Sequence, residues 1–378
     1  MASIIIAGDY SPKDRVAKLI ESDDTKDIFA DIKGVLTSSD YSIVNFESAV
    51  TTAQSKLIKK AGPGMHCTAA AVALLKETGF DAVTLANNHF RDYGNEGVEN
   101  SICEFKKNQI DYFGGGCNLD EAESPFIKDV KGRKIAFINV CEHEFSIAGK
   151  NKAGSAPLNV IDVVYRIEEA KNNADYVIVI VHGGNEYYQL PSPRLKKTYR
   201  FLVKMGADAV VNHHQHCYSG FEVYQGRPIF YGLGNFCFDW SGRRNGIWNE
   251  GYMVKLLLED GVKFELIPYR QCDDLPQVTL LSNDEVSSFN KNINCLNAII
   301  ADDVRLQEEY EEFCKKRKKS IICPFTAYLN SYVRLAAGRR WIPYLIPKNK
   351  LTGQINFIEC ESHRDVLLKV LYDELERK

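Results

Sequence analysis

Between residue 1 and about residue 270, short runs of β-branched and other apolar residues alternate with longer stretches of helix-like pattern, and several runs stop at a carboxylate, an amide or an imidazole. This alternation predicts an α/β layered architecture. The strand candidates are Ser3 to Ala7, Tyr41 to Asn45, Ala82 to Leu85, Lys134 to Val140, Tyr176 to Val181, Ala209 to Val211, Arg227 to Tyr231 and Tyr252 to Leu258. Ligands in open α/β sheets collect beyond the carboxyl ends of strands, where loops carry chemistry on a rigid platform. The polar residues that close these runs are therefore the first place to look for function.

A chain of 378 residues exceeds the usual single-domain size. The expected division is a body over 1–285 and a mainly helical C-terminal extension over 286–378. Hydrophobic residues at 45% and charged residues at 26% can build an ordinary globular core. A formal net charge of -3 supplies no global attraction to nucleic acid or to an anionic membrane, so neither is an expected partner and an anionic substrate must be drawn in locally. The start, Met1-Ala-Ser-Ile-Ile-Ile-Ala-Gly-Asp9, has no basic n-region or cleavage pattern and reads as a first strand. No run nears the roughly 20 apolar residues that span a bilayer. Eleven cysteines, an odd number without C-x-x-C spacing, argue against a disulfide framework or a thiolate zinc site. The expectation is a soluble, cytoplasmic protein.

Past about residue 285 the composition turns to helix formers. The acidic stretch Asp302 to Glu312 and the basic stretch Lys315-Lys316-Arg317-Lys318-Lys319 fit one solvated helix whose charges complement its dipole. A last helix is expected to open at Ser362-His363-Arg364-Asp365 with a capping-box-like signal. It would pack back on the body through Val366, Leu367, Val370, Leu371 and Leu375.

Asn212-His213-His214-Gln215-His216 is the strongest local signal, with three of the eight histidines directly after an apolar run. Residues two apart in an extended or turning backbone point the same way, so His214 and His216 can present two imidazoles to one cation. His182 closes the run Tyr176 to Val181 and is followed by Gly183-Gly184, which lets the backbone turn tightly. Asn87-Asn88-His89, Asn45-Phe46-Glu47 and Asp9 follow other runs in the same way. Two carboxylates, an amide oxygen and three imidazoles make a mixed nitrogen and oxygen set suited to Zn, Mn, Fe or Ni and poorly suited to calcium.

These stretches, taken in order, resemble the CapA family of capsule and poly-γ-glutamate biosynthesis, itself related to calcineurin-like metallophosphoesterases. The matching residues are Gly8-Asp9, Asn45-Phe46-Glu47, Ala86-Asn87-Asn88-His89 with Asp92-Tyr93-Gly94 and Gly97, and Val181 to Tyr187. Gly206-Ala207-Asp208, His213 to His216 and Tyr231 to Phe236 continue the series. The resemblance implies two mixed β-sheets packed together and flanked by helices, with a centre of one or two divalent ions, Mn, Zn or Fe. It implies Asp9, Glu47, Asn88, His182, His214 and His216 as ligands. Glu47 takes the bridging place, Asn88 joins His182 and His214 on one ion, and His216 returns to the other. His89 becomes the general acid or a transition-state donor, while Asn45, Glu186, His213 and Asn235 contact substrate. Two departures stand out. Ser11 occupies the position where phosphoesterases carry a histidine, and Glu47 is a methylene longer than the usual bridging aspartate.

A hydrolytic reading follows, in which a bound metal lowers the pKa of a coordinated water toward 7 and polarises a phosphoryl or acyl group of an anionic small molecule or polymer. The alternative is a non-catalytic polymer-binding or assembly protein. Lys56, Lys59 and Lys60 before Ala61-Gly62-Pro63-Gly64 read as a solvated loop or as an anion-receiving one. Gly114-Gly115-Gly116-Cys117 lacks the lysine and hydroxyl of a phosphate loop, and no G-x-S-x-G elbow occurs. Glu142, His143 and Glu144 follow the strand Lys134 to Val140 and read as an ordinary polar loop or, alternatively, as a border of the site.

Overall fold

The computed structural model describes residues 1–322 and 348–376. Its strands in chain order are β1 (Ala2–Tyr10), β2 (Tyr41–Phe46), β3 (Ala49–Val50), β4 (His66–Cys67), β5 (Ala82–Thr84), β6 (Asp111–Phe113), β7 (Gly115–Gly116), β8 (Phe126–Val130) and β9 (Arg133–Cys141). They continue with β10 (Gly154–Ser155), β11 (Tyr176–His182), β12 (Ala209–His213), β13 (Phe221–Tyr224), β14 (Arg227–Phe230), β15 (Asn235–Cys237), β16 (Glu250–Leu258), β17 (Val262–Gln271) and β18 (Val278–Leu280). One mixed sheet runs β18-β17-β16-β1-β2-β5-β6, with β15 also paired to β1. The second runs β13-β14-β12-β11-β9-β8.

Alternation along the strands explains why both sheets are covered on both sides. Ile4, Ile6 and Ile43 of the first sheet meet Phe137, Ile178, Ile180 and Val211 of the second in a shared core. Ile5, Ala7, Val44 and Val83 point the other way, onto the helices Asp14–Glu21, Ala30–Thr37, Ala69–Thr78 and Gly94–Lys107. Val177, Val179 and Val181 likewise face the helices Val160–Lys171 and Pro193–Met205. The result is helix, sheet, sheet, helix, and the runs are apolar throughout because neither face meets water.

In each sheet the central strands are parallel: β1 with β2, β2 with β5, β9 with β11, and β11 with β12. Their carboxyl ends therefore lie along one edge of each sheet, and the packing brings the two edges together. Gly8 lets β15 approach β1 there, since a Cβ at Gly8 would fall 1.9 Å from the Gly234 carbonyl oxygen.

From Asn283 onward every regular element among the described residues is a helix: Asn283–Ala301, Asp303–Ile322, Lys348–Glu359 and Glu361–Glu376. The acidic and basic stretches do share one helix, Asp303–Ile322. The last helix differs from expectation at its start. It begins at Glu361, so Ser362 lies inside it, and the Ser362 hydroxyl donates to Glu142 Oε1 at 3.0 Å instead of capping. Val366, Leu367 and Val370 pack on Tyr310 and Cys314, while Leu371 is 46% exposed and the Leu375 side chain lies outside the described residues. The Lys319 side chain of the basic stretch is outside them too.

Candidate metal centre

Six side chains from five strand ends converge between the sheets. Asp9 is in the last turn of β1, Glu47 follows β2, Asn88 follows β5, His182 ends β11, and His214 and His216 follow β12. All six are buried, Glu47 completely. Glu47 Oε1 stands 3.7 Å from His182 Nε2 and 3.9 Å from His216 Nε2. His182 Nε2 is 3.0 Å from both Asn88 Oδ1 and His214 Nδ1, and His216 Nδ1 is 3.6 Å from Asp9 Oδ2. Ligands each about 2.0–2.2 Å from one ion stand roughly 3 to 3.6 Å apart, so this spacing is that of a coordination shell. Two groups form, Glu47 with His182 and His214, and Asp9 with Glu47 and His216. Glu47 belongs to both.

The polar bookkeeping points the same way. Neither carboxylate oxygen of Glu47 nor Nε2 of His214 has a hydrogen-bond partner, although each is buried. An isolated buried carboxylate is costly enough that it is ordinarily paired or bound to a cation. The donor set therefore fits divalent metal. His214 and His216 hold left-handed backbone, with φ of 93° and 55°, which is uncommon for residues with a Cβ and is characteristic of functional turns. The His214 amide is fixed there by donating to Asp9 Oδ2 at 3.3 Å.

Burial sets most of the electrostatics. It drives the His182 ring well below its ordinary pKa, with His214 adding to the effect, so the ring is neutral and its lone pair is available. Burial also raises Glu47, and Asp9, Glu186 and Asp92 add to the rise. Burial would raise Asp9 as well, but His216, His213 and His182 together hold it below the usual carboxylate range. His216 is lowered by burial and raised more strongly by Glu47, Asp9 and Glu186, to about 10.

Residues 3–240 match the family described as bacterial capsule synthesis protein PGA_cap. The chain belongs to that family. Capsule biosynthesis protein CapA of Bacillus anthracis is 35% identical over 245 residues, covering 63% of this chain and 60% of that protein. PGA biosynthesis protein CapA of Bacillus subtilis (strain 168) is 36% identical over 261 residues, 67% of this chain and 68% of that one. The chain thus spans less than two thirds of the Bacillus anthracis relative's length. Among solved structures, a phosphatase of Mycoplasma pneumoniae is similar at TM-score 0.45 and 15% identity, covering 72% of this chain and 95% of its own. The calcineurin-like phosphoesterase YfkN of Bacillus subtilis is similar at TM-score 0.37 and 14% identity, covering 79% and 98%.

In this PGA_cap chain the remaining candidates divide by what their polar atoms do. His89 sits beside the cluster, with Nε2 3.9 Å from Glu47 Oε1 and Nδ1 2.7 Å from Asp92 Oδ2. Burial lowers its pKa, and Lys60 lowers it further. Glu186 is held low against the pull of burial by its proximity to His216 and His214. His213 is buried with neither ring nitrogen partnered. Asn45 and Asn235, expected as substrate contacts, have their amides engaged within the protein. Asn45 Nδ2 donates to Asp9 Oδ1 at 2.8 Å, and its oxygen accepts from Thr84 and Asn87. Asn235 Oδ1 is 2.9 Å from His216 Nδ1, and its nitrogen donates to backbone carbonyls. Such contacts would orient Asp9 and His216 as ligands.

Two features were not legible in advance, the burial of Lys60 and the aromatic rings packed on His216. Lys60 is neither solvated nor open to an anion; its side chain is 1% exposed, ion-paired to Asp92 and 3.0 Å from His89 Nδ1. The spacing of Asp92 three residues after His89 was the available signal for that pair. The 142–144 segment does border the site, with Glu144 Oε1 3.8 Å from His214 Nε2 and Glu142 buried. Trp248 and Phe238 pack against the His216 ring at centroid distances of 4.8 and 5.3 Å.

Proposed function

We propose that this chain is a metal-dependent hydrolase that cleaves a phosphoester or a γ-glutamyl type amide in capsule or poly-γ-glutamate biosynthesis. The observation that carries the reading is Glu47, a fully buried carboxylate shared by two ligand groups with neither oxygen hydrogen-bonded. Asp9, Glu47, Asn88, His182, His214 and His216 would hold one or two ions, with Mn, Zn or Fe suited to the donors. A divalent ion supplies Lewis acidity to a phosphoryl or acyl oxygen and makes water more acidic. Asn45 and Asn235 hold Asp9 and His216 in place. Asp92 Oδ2, accepting the His89 Nδ1–H, fixes that ring with Nε2 toward Glu47, from where the protonated ring would give its Nε2 proton to a leaving group. The names of the relatives tie the reading to capsule and poly-γ-glutamate. No helix among the described residues is long and apolar enough to cross a membrane.

Two variants test this. His214→Ala should lose metal by elemental analysis while the fold stays intact, because a strand-end ligand supports binding more than packing. His89→Asn should keep metal and melting temperature while turnover falls roughly 100- to 10,000-fold on whichever phosphoester or γ-glutamyl amide a screen identifies. Metal held at full stoichiometry in His214→Ala would refute the centre. Full turnover in His89→Asn, or a screen with no turnover, favours a polymer-binding or assembly role.

A further inference from the structure

The match to the family stops at residue 240, and residues beyond it line a cleft beside the candidate metal centre. The helix Glu361–Glu376, which follows the helix Lys348–Glu359, is fastened beside the His182 loop by the buried Glu142. Glu142 Oε2 accepts from the Gly184 amide at 3.0 Å, and Oε1 accepts from the Ser362 hydroxyl at 3.0 Å and from Arg194, which is also paired with Asp365. His143 is closed onto Glu361 by its ring at 2.6 Å and by its backbone amide at 2.9 Å.

Between these helices and the loop after β9 lies a cleft of about 430 Å3 lined by His143, Glu144, Lys152, Glu359, Glu361 and Arg364. Its nearest approach to the metal centre is through Glu144, whose Oε1 stands 3.8 Å from the unpartnered Nε2 of His214. His143 and Glu361 satisfy each other. Lys152 and Arg364, with Glu144 and Glu359, carry the remaining charges of the lining. A phosphate or a row of carboxylates would meet as many like charges as opposite ones there. A group carrying both an ammonium and a carboxylate meets a partner for each, and like-charge contact is what rejects the others.

We propose that the C-terminal helices form the outer wall of a cleft beside the metal centre, and that this mixed-charge cleft recognises a zwitterionic amino-acid or peptide end of the substrate. The proposal rests on the hydrolase reading only for what happens at the metal centre; recognition in the cleft is measurable without turnover.

Calorimetric titration of the full chain with glycylglycine, N-acetylglycylglycine, glycylglycine amide and inorganic phosphate tests it, with metal content measured on the same samples. Glycylglycine should bind about tenfold or more tighter than the two blocked peptides and phosphate. Arg364→Gln and Glu359→Gln, both at exposed positions, should each weaken it about tenfold at unchanged melting temperature and metal content. Absence of glycylglycine binding, equal binding of a blocked peptide or phosphate, or unchanged affinity in both variants would overturn the proposal. A chain that binds glycylglycine as expected but holds no metal keeps the subsite and loses the hydrolase reading.

Discussion

Glu47 and Glu142 occupy equivalent places, each the first residue past a central strand and each buried, yet their surroundings are opposite. Glu142 is saturated, with the Gly184 amide, the Ser362 hydroxyl and Arg194 on its two oxygens. Glu47 has imidazoles and other carboxylates nearby, and no hydrogen bond to either oxygen. The first pattern is a structural tie, in which the protein itself offsets desolvation of the charge. The second leaves that cost uncompensated, which a protein retains where a cation is to be bound. Location at a strand end does not separate the two roles; the accounting of partners does.

The contrast can be broken from either side. Glu142→Ala should destabilise the fold by about 3 kcal/mol, since it strips a buried, hydrogen-bonded ion pair of one partner, and it should leave metal content unchanged. Chemical denaturation and elemental analysis of that variant read both. A stable variant would mean that Glu142 is not the tie between body and C-terminal helices. A smaller effect is expected at Gly183, where a Cβ would lie 2.8 Å from Glu142 Cγ. Gly183→Ala should cost about 1 to 3 kcal/mol by overpacking, read in the same denaturation experiment, and a neutral result would show that the Glu142 side chain has room to give.

The smallest effect concerns pH. The hydrogen bond to Glu361 raises His143, with burial opposing, while Glu361 is lowered by His143 against the pull of burial. A raised histidine contributes stability below its unfolded value of about 6.5 and loses it as pH rises through the folded value. A lowered glutamate contributes above its unfolded value of about 4.5 and loses it as pH falls through the folded value. The attachment of the last helix should therefore be firmest between about pH 4.5 and 6.5 and loosen on either side. Amide exchange in residues 361–370 across pH, corrected for intrinsic rates, checks this, and His143→Asn should flatten the alkaline limb.

The strands that position the centre were legible because both faces of each are buried, so β1, β2, β9, β11 and β12 appear as apolar runs with their ligands at the end. Family resemblance paired the ligands across the sheets, which spacing alone could not do. Short strands such as β6 and β15 offer too few residues for a period, and Pro268 interrupts the alternation of β17. Lys60 was hidden because its loop is polar throughout and nothing local shows that it folds onto Asp92. Glu142 and Ser362 are 220 residues apart, and no local pattern encodes their meeting. The Ser362 sequence imitates a cap, but its hydroxyl is used by a tertiary partner.

The central claim is that Glu47 is left unpaired because it joins two ligand groups around metal. Elemental analysis of wild type and Glu47→Gln, purified alike without added metal, tests it most directly. The account predicts one or two ions per wild-type chain and a loss of more than about 100-fold in metal affinity for the variant, since outer partners alone are worth 10- to 100-fold. It also predicts that the metal-free variant melts no lower than metal-free wild type. Equal metal content in the two proteins would contradict the claim.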